Sequence, residues 1–89
     1  MPIIAVFYGI IVRMYFFDNI KHHTPHIHVE YQGESAVVEI PSGKVLDGAI
    51  RTQKMKLISA WIEIHQDELL ADWSLAISGE QLEKIEPLK

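Results

Sequence analysis

The sequence predicts an α+β fold: a small, mainly antiparallel sheet of three to five strands followed by two C-terminal helices. Two observations predict it. Before residue 41, apolar and polar residues alternate with period 2, and after residue 51 apolar residues recur with a period near 3.6. The two patterns follow one another along the chain rather than interleaving, which favours α+β over alternating β/α units.

The strands come first. Ile3-Ile4-Ala5-Val6-Phe7 is a short apolar run that ends near Gly9. Ile10 to Phe17 is rich in β-branched and aromatic residues, with Arg13 its only charge before Asp18, and reads as a second strand. Asp18 to Pro25 is polar, contains Asn19, Thr24 and Pro25, and reads as a connection. From His26 to Tyr31 the alternation is clean: His26, His28 and Glu30 share one face, and Ile27, Val29 and Tyr31 the other. Gln32-Gly33-Glu34 forms a tight turn, so Ser35 to Ile40 should pair back as a hairpin before Pro41-Ser42-Gly43 closes it. Lys44-Val45-Leu46 adds a short edge piece, and Asp47-Gly48 is a further turn signal.

Helices follow over residues 51–79. At 100° per residue, positions 57, 58, 61, 62, 64, 65 and 69 form one broad apolar sector with His65 near its centre and Trp61 one turn before it. Gln66-Asp67-Glu68 breaks the pattern, Asp67 is placed to cap a second helix through Leu69, Leu70, Trp73 and Ile77, and Gly79 suits its C-terminal stop. The tail, residues 80–89, contains Pro87 and reads as irregular. Arg51, Lys54 and Lys56 open the first helix, against the preference of the helix macrodipole for acids there. They form either a solvated face or a small basic patch. Trp61 and Trp73 read as core.

Length and composition bound the function. A chain of 89 residues is one domain, residues 1–89, with a single modest core that 48% hydrophobic residues suffice to fill. The absence of cysteine excludes disulfides, thiolate metal sites and a cysteine nucleophile. No apolar run approaches the length of a membrane span, and Met1 to Gly9 lacks the basic start of a signal peptide, so a soluble cytoplasmic protein is expected. The net charge of −4 is shared evenly between the halves, and a pI near 5.6 disfavours, without excluding, a nucleic-acid partner bound through many phosphates. No Gly-rich phosphate loop or nucleophile elbow is present.

Chemistry concentrates in His22-His23-Thr24-Pro25-His26-Ile27-His28-Val29-Glu30, which holds four of the five histidines. On a strand, His26 and His28 project to the same side, and Glu30 follows one step along. Two imidazoles and a carboxylate suit Zn, Fe, Ni or Cu. The same group suits metal-free phosphodiester cleavage, one His taking a proton and another giving one, with Arg13 or Tyr15 holding a phosphate. A polar, solvated sheet face with a His-rich loop is the plain alternative, and the pattern does not choose. His65 reads either as a core histidine bonded to a carbonyl or as a further metal ligand. It reaches His26 and His28 only if the helix covers their face or the site lies at an edge.

The chain resembles the domain of unknown function 4160 family of small bacterial proteins. The resemblance runs through Phe7-Tyr8-Gly9-Ile10-Ile11-Val12-Arg13-Met14-Tyr15-Phe16 and Pro25-His26-Ile27-His28-Val29-Glu30-Tyr31, then Ala36, Gly43 and Gly48. It continues through Trp61-Ile62-Glu63-Ile64-His65, Glu68-Leu69-Leu70, Trp73, Ala76, Gly79 and Ile85-Glu86-Pro87-Leu88. The family motif usually reads Pro-Pro-His-Phe-His. Here Thr24 and Ile27 replace its first Pro and its Phe, departures that spare both histidines and bear on loop geometry. The resemblance implies the toxin-like half of a bacterial toxin–antitoxin pair, partnered by a small antitoxin-like protein encoded beside it. Any chemistry would then fall to His26 and His28, supported by Arg13, Tyr15, Glu30 and His65. The rival expectation is a metal-binding or regulatory interaction module without catalysis.

Overall fold

Two short hairpin loops set the sheet. The computed structural model describes residues 2–19 and 21–89; Met1, and Ile20 within the expected connection, lie outside the described residues. Five strands, β1 (Ile3–Phe7), β2 (Ile10–Arg13), β3 (His26–Tyr31), β4 (Glu34–Glu39) and β5 (Val45–Ala49), form an antiparallel sheet in chain order. Tyr8-Gly9 and Gln32-Gly33 join their strands with positive φ at both positions, the hairpin geometry whose twist matches that of the flanking strands. Two helices, α1 (Thr52–Ile64) and α2 (Gln66–Ile77), follow. The architecture is the predicted α+β arrangement.

The period-2 pattern sorts the two faces of the sheet. Ile10, Val12, Ile27, Val29, Ala36 and Val38 are buried, and they share one core with Ile58, Trp61, Ile62 and Leu69 of the helices. Leu57 packs against this cluster from its margin. Phe7 and Trp61 meet with ring centroids 5.3 Å apart, which fastens β1 to α1. Arg51 and Lys54 lie over the Tyr31 ring, at 5.0 and 4.9 Å from its centroid, so these two basic residues hold the start of α1 on the sheet. The opposite face carries Arg13, His28, Glu30 and Val37, all half-buried.

Four local readings are corrected. The second strand stops at Arg13 rather than Phe17, because Phe17 takes a left-handed φ of 55° and donates its N–H to the Ala76 carbonyl at 3.0 Å. Asp47-Gly48 is not a turn but lies within β5, beyond a register shift that pairs Val37 with Asp47 and Val38 with Val45. A Cβ at Gly48 would fall 2.3 Å from the Ser35 carbonyl oxygen, so only glycine lets the two backbones approach this closely. His65, not Asp67, sits at the N-cap of α2, and Asp67 and Glu68 occupy its first turn, where their charge complements the helix dipole. Ile64, assigned to the apolar sector, is exposed at the end of α1.

The predicted stop at Gly79 takes the form of a Schellman motif. Gly79 donates to Ala76 at 3.1 Å and Glu80 to Leu75 at 2.9 Å, with Gly79 at φ 73°. Residues 80–89 are irregular but docked. Ile85 is buried and donates its N–H to the Ile4 carbonyl at 2.9 Å, while the Trp61 indole N–H donates to the Glu86 carbonyl at 2.8 Å. The tail thereby covers part of edge strand β1. No helix of the described residues is long and apolar enough to cross a membrane.

Candidate metal centre

Strand geometry brings the first two groups together. His26 and His28 lie on the same side of β3, with ring centroids 5.4 Å apart. The third group comes from the connection. Just past the left-handed Phe17, Asp18 turns back so that its Oδ2 lies 2.8 Å from His26 Nε2 and 2.6 Å from His28 Nε2. Asp18, His26 and His28 each present one ligand atom, and these atoms all lie within 4.8 Å of one another.

The surroundings fix the rings. His26 is 1% exposed and packs 4.9 Å from the Trp73 ring, centroid to centroid. Its Nδ1 lies 2.8 Å from the Thr24 carbonyl oxygen, which can only accept, so Nδ1 carries the hydrogen. With Nδ1 so occupied, Nε2 of a neutral His26 has a lone pair aimed at Asp18. Two electron-rich atoms do not approach to 2.8 Å without a cation between them, whether a proton or a metal. Half-buried His28 is braced edge-on by Tyr15, at 4.4 Å between ring centroids. Burial pushes the Asp18 carboxyl up, but hydrogen bonds from His28 and His26 and the charge on those rings outweigh it and hold the pKa below the ordinary carboxylate value.

The other sequence-predicted residues fall outside this grouping. Glu30 accepts from Arg13 Nε at 2.9 Å, and Arg13 stands directly opposite His28 in the β2–β3 register. His65 lies at the junction of α1 and α2, with Nδ1 2.6 Å from Glu68 Oε1 and its ring 5.7 Å from that of Trp61. Among the described residues, the structure brings together His26 and His28 but neither Glu30 nor His65 with them. Asp18, the residue that completes the set, stands in the sequence only as the start of the polar connection. Its sequence signal is slight: it is the nearest carboxylate upstream of the His cluster.

Beside the centre, an open groove of about 550 Å³ runs over the sheet face that the helices leave bare. Tyr15, His28, Glu30, Ser35, Val37 and Asp47 line part of it. His28 thus belongs to both the cluster and the groove. The acids along it are matched by bases: Glu30 by Arg13, Glu34 by Arg51 at 3.1 Å, and Asp47 by Lys21 at 3.1 Å.

Neither a curated protein nor a solved structure matches the sequence. The sequence does match the family described as Domain of unknown function (DUF4160) over residues 9–74, a span that includes Asp18, His26, His28 and the groove. The match covers well over half of the 89 residues, and the chain belongs to that family.

Proposed function

We propose that the protein binds a divalent transition metal through Asp18, His26 and His28, beside the open groove. The observation that carries this reading is the convergence of three ligand atoms within 4.8 Å, with His26 Nδ1 on the Thr24 carbonyl. A hydrogen bond from the far ring nitrogen to a carbonyl is the arrangement that orients metal-binding histidines and raises their basicity. Two nitrogens and one carboxylate suit Zn, Fe or Ni. A tetrahedral ion with bonds near 2.0–2.1 Å needs its ligand atoms about 3.3 Å apart. The present N–O separations of 2.6 and 2.8 Å must therefore open slightly, which the loop position of Asp18 permits.

Metal-free acid–base cleavage of a phosphodiester fits less well. Both Nε2 atoms face Asp18 rather than the groove, and Glu30, Glu34 and Asp47 border the space a phosphate would enter. The test is a titration of metal-free protein with Zn or Ni. One equivalent should bind, and Asp18→Asn, His26→Ala and His28→Ala should each weaken binding at least tenfold. Glu30→Gln and His65→Ala should leave it unchanged. Equal losses from all five variants would mean diffuse chelation and would overturn the site.

We infer a second, compatible reading at the level of the cell from what the sequence resemblance implies. In it the chain is the toxin-like half of a bacterial, cytoplasmic toxin–antitoxin pair, neutralised by a small protein encoded beside it. Expression alone should then slow growth, co-expression with the neighbour should restore it, and the two should co-purify. Absence of a growth defect at every induction level, with no neighbour bound, would remove this reading and leave the metal site untouched.

A further inference from the structure

We propose that His22 joins the centre as a third imidazole ligand when metal is bound, an inference that rests on the metal reading above. His22 Nε2 is buried and has no hydrogen-bond partner, a state that polar side-chain atoms rarely keep without a role. Its ring stands edge-on to that of His26, at 5.6 Å between centroids and 76° between planes. His22 is therefore packed against one of the two imidazoles that converge with Asp18, with its own nitrogens outside that 4.8 Å grouping. It lies beside the pair that Asp18 holds, on the same connection that delivers Asp18.

The chain around His22 suits a group that moves a short distance. The backbone hydrogen bonds that hold the connection between β2 and β3 lie near its ends, at Met14, Phe17 and Pro25, away from His22. Lys21, one residue earlier, reaches across to Asp47 of β5 at 3.1 Å, which places the segment beside the sheet. A neutral imidazole contributes a lone pair without adding charge. A set of three nitrogens and one carboxylate would then complete a tetrahedral ion and favour Zn, Co or Ni over Mg and Ca, which take oxygen ligands. It would also relieve the unpaired buried nitrogen, because the metal becomes its partner. His23, adjacent in sequence, is exposed and shares none of these features.

The experiment is a Co(II) titration of the metal-free full-length protein, read by affinity and by the visible ligand-field spectrum. Wild type should bind one equivalent with the intense absorption of four-coordinate Co(II). His22→Ala should bind at least tenfold more weakly with a weaker, shifted spectrum, and His23→Ala should match wild type. Unchanged affinity and spectrum in His22→Ala would overturn the proposal while leaving the three-residue site standing. Equal losses in His22→Ala and His23→Ala would also overturn it, as would failure of the wild type to bind at all, which would remove the three-residue site as well. Should His22→Ala fail to fold, the ¹⁵N shift of His22 Nε2 in wild type on adding Zn decides: a metallated shift supports the proposal, and an unaltered one refutes it.

Discussion

Replacing Trp61 with alanine should remove the largest fully buried side chain and unfasten the tail in one step. The Trp61 ring is fully buried, stands 5.3 Å from that of Phe7 and donates its indole N–H to the Glu86 carbonyl at 2.8 Å. Truncating a buried large aromatic costs about 3–5 kcal/mol through lost transfer energy and the cavity left behind. The lost hydrogen bond adds roughly 1 kcal/mol or less, since Glu86 is exposed and water can replace the indole at its carbonyl. A chain this long has about 4–13 kcal/mol of stability to lose. Trp61→Ala should therefore lower the melting temperature by roughly 12–40 °C, and Trp61→Phe, which keeps a ring against Phe7, should cost only about 1–2 kcal/mol. Urea denaturation followed by far-ultraviolet circular dichroism measures both, with Trp73 fluorescence as a second probe. A loss below about 1 kcal/mol in Trp61→Ala would contradict the packing scheme.

Three further outcomes follow from particular contacts. Gly48→Ala should cost roughly 2–5 kcal/mol, because it combines an alanine at left-handed φ with a clash against the Ser35 carbonyl, and a neutral result in a denaturation curve would mean that β5 can shift. Burial raises the Asp72 pKa, opposed by the N–H of Glu83 and aided by the charges of Glu83 and Glu68, so the folded protein holds this proton more tightly than the unfolded chain. The resulting stability is complete below the ordinary value of 3.8 and is lost as pH rises through the folded pKa. Asp72→Asn, which does not titrate, should thus gain on wild type between about pH 3.5 and pH 7 in urea melts, and a pH-independent difference would refute this. A Cβ at Gly79 would fall 2.5 Å from Phe17 Cζ, so Gly79→Ala should disturb the residue that precedes Asp18 and weaken Zn binding more in wild type than in a Phe17→Ala background. Identical losses in both backgrounds would show that the cap acts without Phe17.

Much of the fold was legible in the sequence because its signals are local. Alternation from His26 to Tyr31 gives β3 to the residue, and the stop at Gly79 follows from its suitability for a left-handed C′ position. What escaped depends on contacts between distant residues. Nothing in the composition of Asp47-Gly48 separates a turn from a bulged strand; the close backbone of Ser35 decides it. The docking of residues 80–89 rests on buried Ile85, on Leu82 and Leu88 at the margin of the core, and on hydrogen bonds at Glu83, Ile85 and Glu86, which leave no periodic trace. The candidate site divides in the same way. His26 and His28 are visible as an i, i+2 pair on a strand, but no spacing rule joins Asp18 to them, because its position depends on how the connection folds back after Phe17. Glu30 follows the strand rule and is drawn instead to Arg13, an opposite charge on the neighbouring strand.

The central claim is that Asp18, His26 and His28 form a metal centre, and long-range ¹H–¹⁵N correlation of the histidine rings tests it most directly. On adding one equivalent of Zn, the Nε2 resonances of His26 and His28 should move to metallated positions while His26 Nδ1 keeps its hydrogen on the Thr24 carbonyl and the His65 ring stays unchanged. Asp18→Asn should abolish or greatly weaken the response. Spectra in which His26 and His28 do not respond, or in which the rings of His23 and His65 shift to the same extent, would contradict the claim.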